Sequence, residues 1–166
     1  MAIIDGMLQE LEQEAQTTRR VLARVPESKL AWRPHKKART LGELALHVAM
    51  VPGRVAEFVA SPSPAQAPQF TDPSPKSVAE LVPTLEQSVA MARKALGDMD
   101  DATVMATWRM MSGDRELLAV PRVAMLRSVM LNHWYHHRGQ LTVYLRELGV
   151  PIPSIYGPSA DENPFA

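Results

Sequence analysis

Cysteine is absent from this chain of 166 residues, and its absence excludes several kinds of chemistry. No disulfide framework can form, no thiolate can bind a metal ion, and no thiol of the protein's own can act as a nucleophile. Any thiol chemistry would therefore have to use a thiol from outside the chain.

The chain also lacks an excess of charge of either sign, and it lacks long apolar runs. Eighteen basic and eighteen acidic residues leave a formal net charge of zero, which argues against nucleic acid or an anionic membrane as a partner. No stretch approaches the roughly 18 apolar residues of a membrane span, and the first residues lack the basic start of a signal peptide. We therefore expect a cytoplasmic protein. Its length and its 46% hydrophobic content predict one domain over residues 1–166.

Hydrophobic periodicity predicts four helices, because apolar residues recur at the three- and four-residue spacing of one buried helical face. The predicted helices run from Ile3 to about Val25, from Thr40 through a bend at Pro52-Gly53, from Ser77 to Gly97, and from Pro121 to Gly149. The second and third open on capping boxes, T-L-G-E and S-V-A-E. In a capping box the first and fourth side chains each accept a hydrogen bond from the other residue's backbone N–H.

Two connections complete the predicted fold. Residues 61–76 hold five prolines and no helical pattern. Extended, they can reach about 50 Å, enough to cross a bundle and let the second and third helices run parallel. Residues 98–120 carry two apolar runs on either side of S-G-D-R, a pattern that suits either a short hairpin or two irregular segments packed on the bundle. The predicted fold class is all-α, a four-helix bundle with a long crossover between helices two and three and a short hairpin before helix four.

Three histidines stand where the predicted helices should present apolar residues. His133 and His137 are four residues apart and share a face of the fourth helix, and His47 lies between Leu44 and Val51 on the second. A buried imidazole without a partner costs about 1–3 kcal/mol, so three inward-facing histidines need a common explanation. Three imidazoles around one centre form the open ligand set typical of catalytic zinc and related divalent metal ions. The sequence thus predicts a metal site at His47, His133 and His137.

Two neighbouring residues are further candidates for this site. Glu43, one turn before His47, could orient that imidazole or act as a fourth ligand, although completing the helix cap explains it equally well. His136 has metal-ligand spacing with His133, yet it lies about 100° around the helix from His137, which favours a boundary position.

Other polar residues near these histidines have structural explanations that we prefer. Residues on the fourth helix that could serve the metal or a substrate, but for which packing is the better interpretation, are Tyr135, Arg138, Gln140 and Tyr144. A basic loop precedes the second helix and contains Arg33, His35, Lys36, Lys37 and Arg39. Such a charge run is usually a solvated surface, and anion binding is the alternative.

Two stretches together carry a resemblance to a known family. WRPHKKARTLGELALHV, from Trp32, and LNHWYHHRGQLTVYLRELGVPIPSIYGPSADE, from Leu131, resemble the DinB family of small helical bundles, which is distinct from the similarly named polymerase. The resemblance covers the whole chain in length and order. It implies a four-helix bundle, a homodimer, and a zinc or nickel ion held by one histidine of the second helix and two of the fourth. Those positions correspond to His47, His133 and His137.

The resemblance extends to a wider superfamily of thiol-dependent transferases and isomerases, which use bacillithiol, mycothiol or glutathione, and of proteins described as hydrolases. We therefore expect a metal-dependent enzyme of the thiol S-transferase or hydrolase type, acting with a low-molecular-weight thiol or another small molecule. The alternative is a non-catalytic, metal-stabilised dimer in stress response. Zinc and nickel are the leading metals, and iron and manganese also accept imidazole ligands.

Overall fold

A computed structural model describes residues 2–69, 71 and 73–165 of the chain. Its main body is a bundle of four helices. We call the last of them the C-terminal helix, and this helix has three consecutive parts. The bundle helices are α1 (Ile3–Leu22), α2 (Leu41–Ala60), α3 (Leu81–Leu96) and the C-terminal helix, made of α5 (Arg122–Met125), a π-helical segment (Leu126–Asn132) and α6 (His133–Glu147). A short helix, α4 (Asp101–Met105), follows α3.

One apolar core joins the four helices. Each contributes leucines at helical spacing that are at most 2% exposed, for example Leu11, Leu44, Leu85 and Leu141. Removing such side chains from water supplies the main driving force for a bundle of this kind.

A small three-stranded sheet corrects the all-α prediction. Its strands are β1 (Ala65–Gln66), β2 (Thr107–Ser112) and β3 (Arg115–Pro121). The predicted hairpin is confirmed as β2 and β3, which pair antiparallel around Gly113 with its positive φ of 57°. Glycine suits this position because it has no Cβ to clash in the left-handed region. The sequence did not reveal β1, which pairs parallel with the otherwise open edge of β2.

The crossover between α2 and α3 lets these two helices run parallel, as its length predicts. Gly42, near the start of α2, lies against Pro75, and Gly53, farther along α2, donates its N–H to Ser88 Oγ of α3 at 2.8 Å. The contacts therefore advance in the same direction along α2 and along the chain from Pro75, which precedes α3, to Ser88 within it, so the two helices run parallel.

Two predicted helix starts differ from the structure. No hydrogen bond from the Ser77 side chain caps the third helix, and α3 begins only at Leu81, after a 3₁₀ turn. The first N–H of that turn, on Val78, instead donates to the Glu27 carboxylate at 2.8 Å, so the cap comes from a residue distant in sequence. Pro121 ends β3, and the C-terminal helix begins one residue later.

The predicted bend at Pro52-Gly53 does not interrupt α2, because neighbouring helices supply the missing hydrogen bonds. Pro52 has no N–H, so the carbonyl of Val48, one turn earlier, lacks its usual helical donor. The indole Nε1–H of Trp134, which is 0% exposed, donates to that carbonyl at 2.8 Å. Ser88 accepts the N–H of Gly53 and donates to the Met50 carbonyl at 3.1 Å.

Within the described residues, none of the helices combines the length and the apolar character that crossing a membrane requires.

The bond between Trp134 and Val48 yields a test by paired substitution. Trp134→Phe should destabilise the protein by at least about 1–3 kcal/mol, because it leaves the buried Val48 carbonyl without a donor. Adding Pro52→Ala gives residue 52 an N–H that can bond that carbonyl within α2, so the double variant should recover part of the loss. Urea denaturation of the four proteins measures the coupling. Equal effects of Pro52→Ala in both backgrounds would contradict this explanation.

Candidate metal centre

His47 is placed by the capped start of α2. Thr40 Oγ1 accepts the N–H of Glu43 at 3.1 Å, and Glu43 Oε2 accepts the N–H of Thr40 at 2.7 Å, so the predicted capping box is confirmed. Two turns later, His47 is half-buried on the side of α2 that faces the C-terminal helix.

His133 and His137 lie on the first two turns of α6. His133 directly follows the π-helical segment Leu126–Asn132. A π-helix bonds i to i+5 and places one more residue in each turn than an α-helix, so it resets the face that the following residues present; such segments are frequent at functional sites. His133 is half-buried and His137 is 8% exposed.

The structure brings the three predicted histidines together. Each offers a ring nitrogen, and these nitrogens all lie within 4.8 Å of one another. The Nε2 atoms of His47 and His133 are 3.2 Å apart, and the ring centroids of His133 and His137 are 4.3 Å apart. Two nitrogens bound tetrahedrally at about 2.1 Å from one metal ion would be separated by about 3.4 Å. The spacing of the rings therefore fits a divalent metal ion.

The surroundings keep two of these rings in the form that binds metal. Burial lowers the pKa of His137 to about 4; the hydrogen bond to the Gln140 side chain opposes this effect, and the neighbouring basic groups of His133, Arg39 and His136 reinforce it. Burial also lowers the pKa of His133, with further contributions from His136 and Arg39. Both imidazoles are thus neutral at pH 7, and a neutral imidazole has the lone pair that coordination requires.

Gln140 fixes which nitrogen of His137 faces the site. Its Oε1 lies 2.7 Å from Nδ1 of His137, one turn earlier on α6. An amide oxygen only accepts hydrogen bonds, so Nδ1 carries the proton and Nε2 keeps its lone pair for a metal ion. Packing was our preferred interpretation of Gln140, and the structure instead places it as the residue that orients a predicted ligand. The sequence did contain a signal for this contact, because Gln140 follows His137 by three residues and side chains at that spacing are neighbours on a helix.

The other candidate residues lie apart from the cluster. Both Glu43 oxygens are engaged elsewhere, Oε2 in the capping box and Oε1 with the Ser74 hydroxyl at 3.5 Å. His136 is exposed, and its ring centroid lies 5.0 Å from that of His137, but its nitrogens are not among those that converge. In the part of the chain that the structure describes, no cysteine or carboxylate joins the three histidines.

Arg138, next to His137, faces α1 rather than the site, and it is 1% exposed. Its guanidinium pairs with Glu14 Oε2 at 2.6 Å and donates to Thr18 Oγ1 at 3.1 Å and to the Tyr156 hydroxyl at 2.5 Å. The ring of Tyr135 lies 5.3 Å from this guanidinium. Consecutive residues of α6 therefore serve the histidine cluster and a separate buried ion pair.

A model of the DinB family matches residues 4–164 of the chain. One relative, designated Uncharacterized protein YrdA of Bacillus subtilis (strain 168), is 27% identical over 160 residues, which cover 96% of this chain and 91% of that protein.

Solved structures show the same fold. A DinB-like protein from Bacillus cereus ATCC 10987 superposes with a TM-score of 0.73 at 23% identity, covering 93% of this chain and 98% of that one. The DinB-like protein YjoA from Bacillus subtilis superposes with a TM-score of 0.64 at 17% identity, covering 87% and 92% of the two chains.

The contact between Gln140 and His137 predicts a role in metal affinity. Gln140→Leu should weaken metal binding about 10- to 100-fold, because the ring loses the acceptor that fixes its orientation and tautomer. Competition with a chromophoric chelator measures the affinity. Thr142→Val, on the same helix, is the control and should leave it unchanged. Equal affinities of Gln140→Leu and the parent protein would contradict the assignment.

The buried ion pair predicts a large difference between two glutamates of α1. Glu14→Gln should destabilise the protein by about 3–5 kcal/mol, because it leaves the buried Arg138 charge without its counter-ion. Glu12 pairs with Arg93 at 2.7 Å on the surface, where the two side chains are 41% and 62% exposed. Glu12→Gln should therefore cost less than about 1 kcal/mol. Urea denaturation compares the two, and similar losses would refute a special role for Glu14.

Proposed function

The chain belongs to the DinB family, and from this membership and the convergence of three histidines we propose a metal-dependent enzyme that holds a divalent ion on His47, His133 and His137. The proposed reaction is of the thiol S-transferase type, with hydrolysis as the second type. Zinc and nickel are the leading metals, and iron and manganese also suit imidazole ligands.

The number of ligands carries the proposal of catalysis. Structural zinc sites are typically closed by four protein ligands, whereas catalytic sites have three and keep a position for water or substrate. Among the residues that the structure describes, three histidines form the cluster and no cysteine or carboxylate joins them. His47 and His133 are only half-buried, so both keep part of their surface in contact with solvent.

The chain's own residues hold and orient the site. His47 comes from α2 and the other two histidines come from α6. Gln140 sets the tautomer of His137. Beside the cluster, the hydrogen bond of Trp134 to the Val48 carbonyl joins α6 to α2. When bound, a divalent metal would lower the pKa of a coordinated thiol or water and supply a nucleophile at neutral pH.

Among the residues that the structure describes, no carboxylate joins the three histidines, and this favours thiol transfer. Hydrolases commonly use a carboxylate or histidine as a general base. Glu43 is the carboxylate nearest to His47 along α2, and it accepts the hydrogen bond of the helix cap. In a thiol transfer, the sulfur forms a bond to an electrophilic carbon, the thiol proton passes to solvent, and the leaving group departs with its bonding electrons. The chain has no cysteine, so the thiol must be a separate small molecule.

Metal content tests the ligand set. Protein purified without a nickel column should contain about one divalent ion per chain, and His133→Ala should lose most of it. His136→Ala is a matched control, because it removes an exposed histidine from the same helix and should keep the metal. Elemental analysis provides the measurement. Unchanged metal content in His133→Ala would refute the site.

Turnover separates the two functional alternatives. Metal-loaded protein should convert electrophiles in the presence of low-molecular-weight thiols, and His133→Ala should not. Activity on esters or amides without a thiol would favour the hydrolase type. Full metal occupancy with no turnover across either panel would favour a non-catalytic metal-stabilised dimer.

A further inference from the structure

Two grooves outside the histidine cluster flank α3, one on each side of the helix. The first, of about 210 Å³, lies between α1 and α3, and the second, of about 170 Å³, lies between α2 and α3. The two are similar in size, but they differ in the charges that line them.

Ion pairs cross the groove between α1 and α3. Arg19 of α1 pairs with Glu86 of α3 at 2.5 Å, and Arg93 of α3 pairs with Glu12 of α1 at 2.7 Å. All four residues line this groove, so each of its cations already has a carboxylate. A charged ligand would have to break one of these pairs in order to bind there.

The groove between α2 and α3 contains a single charged residue, Arg54. Its lining residues are Met50, Arg54, Thr84, Gln87, Ser88 and Met91. Arg54 is exposed, and within the described residues it makes no ion pair. Glu57, three residues later on α2, is also exposed and does not pair with it. This groove therefore carries one positive charge that its own lining does not neutralise.

The floor of this groove is a close contact between α2 and α3. The N–H of Gly53 donates to Ser88 Oγ at 2.8 Å, and the Ser88 hydroxyl donates to the Met50 carbonyl at 3.1 Å. A Cβ atom on residue 53 would lie 2.7 Å from the Ser88 carbonyl oxygen, so glycine is required for this approach. The floor is thus fixed before a ligand enters, which reduces the entropic cost of binding.

The walls combine apolar and polar side chains. Met50 and Met91 are half-buried, and their unbranched thioether chains adapt to the shape of an apolar ligand. The Thr84 hydroxyl and the Gln87 amide are neutral groups that can donate hydrogen bonds. A volume of about 170 Å³ is below the roughly 300–1,000 Å³ of typical ligand pockets, so only a small molecule fits. One cation beside an apolar wall suits a ligand with one negative charge and a short apolar chain.

We propose that the groove between α2 and α3 binds a small aliphatic carboxylate, with the carboxylate on Arg54 and the chain against Met50 and Met91. The planar N–H groups of a guanidinium match the two oxygens of a carboxylate. Arg54 follows His47 by two turns of α2, about 10 Å along the helix axis. The site is therefore separate from the proposed metal centre and does not depend on it.

Nuclear magnetic resonance of the methionine methyl groups tests this site in the full-length, zinc-loaded protein. Met50→Leu and Met91→Leu identify the two relevant signals. Pentanoate should shift both signals with a dissociation constant on the order of 1 mM, as expected for so small a ligand. Acetate lacks the buried chain and pentanol lacks the charge, so each should bind at least about tenfold more weakly.

Substitutions of Arg54 test its role directly. Arg54→Gln should weaken pentanoate binding about 10- to 100-fold, the range expected for loss of a charge-assisted hydrogen bond, and Arg54→Lys should keep part of the affinity. Arg93→Gln is the matched control, because it removes an exposed arginine of the other groove and should leave the affinity unchanged. Circular dichroism establishes that each variant is folded.

Three results would overturn the inference. They are unshifted Met50 and Met91 signals at about ten times the expected dissociation constant, equal affinities for pentanoate and pentanol, and an affinity that survives Arg54→Gln.

His133→Ala distinguishes this site from the proposed metal centre, because it should leave pentanoate binding unchanged. If binding instead requires His133 and not Arg54, the carboxylate binds the metal, which supports the metal site and overturns the groove. If His133→Ala retains its metal while pentanoate binding requires Arg54, the proposed metal site fails and the groove stands.

Discussion

The contact between α2 and the C-terminal helix is the interaction on which the metal centre depends. His47 and His133 meet with their Nε2 atoms 3.2 Å apart, and one residue later on each helix Trp134 donates to the carbonyl of Val48. That carbonyl is free to accept only because Pro52 has no N–H. The missing donor in α2 therefore fixes the register of the C-terminal helix against α2. If one helix shifted by a single residue along the other, the indole hydrogen bond would be lost and the rings of His47 and His133 would also move apart.

The first six residues of α6 have three different surroundings. Trp134 is buried in the core against α2, His133 and His137 face the proposed metal, and Arg138 faces α1, where Glu14 neutralises it. Exposed acid–base pairs such as Arg19 with Glu86 add little stability. The buried pair adds specificity, because a rotated helix would leave the Arg138 charge in an apolar environment.

The sequence was sufficient to predict the four bundle helices, apart from two of their starts, and the histidine cluster, because both depend on spacing within a helix. The crossover followed from its length and the hairpin from its turn residues. The position of Arg138 was not predictable from periodicity, since its burial depends on Glu14, a residue far away in the chain. The same reason applies to Glu27, which caps the 3₁₀ turn before α3, and to Trp134, whose acceptor lacks a helical donor only because of Pro52. Strand β1 has two residues, too few to show an alternating pattern.

The π-helical segment Leu126–Asn132 separates the C-terminal helix into a part that follows the hairpin and a part that carries the histidines. The part before it continues from the hairpin, and the part after it presents the histidines to α2. A π-helical turn holds more residues than an α-helical turn, so it changes which side of the helix the residues after it face. The wide turn therefore lies between the hairpin and the histidines that face α2.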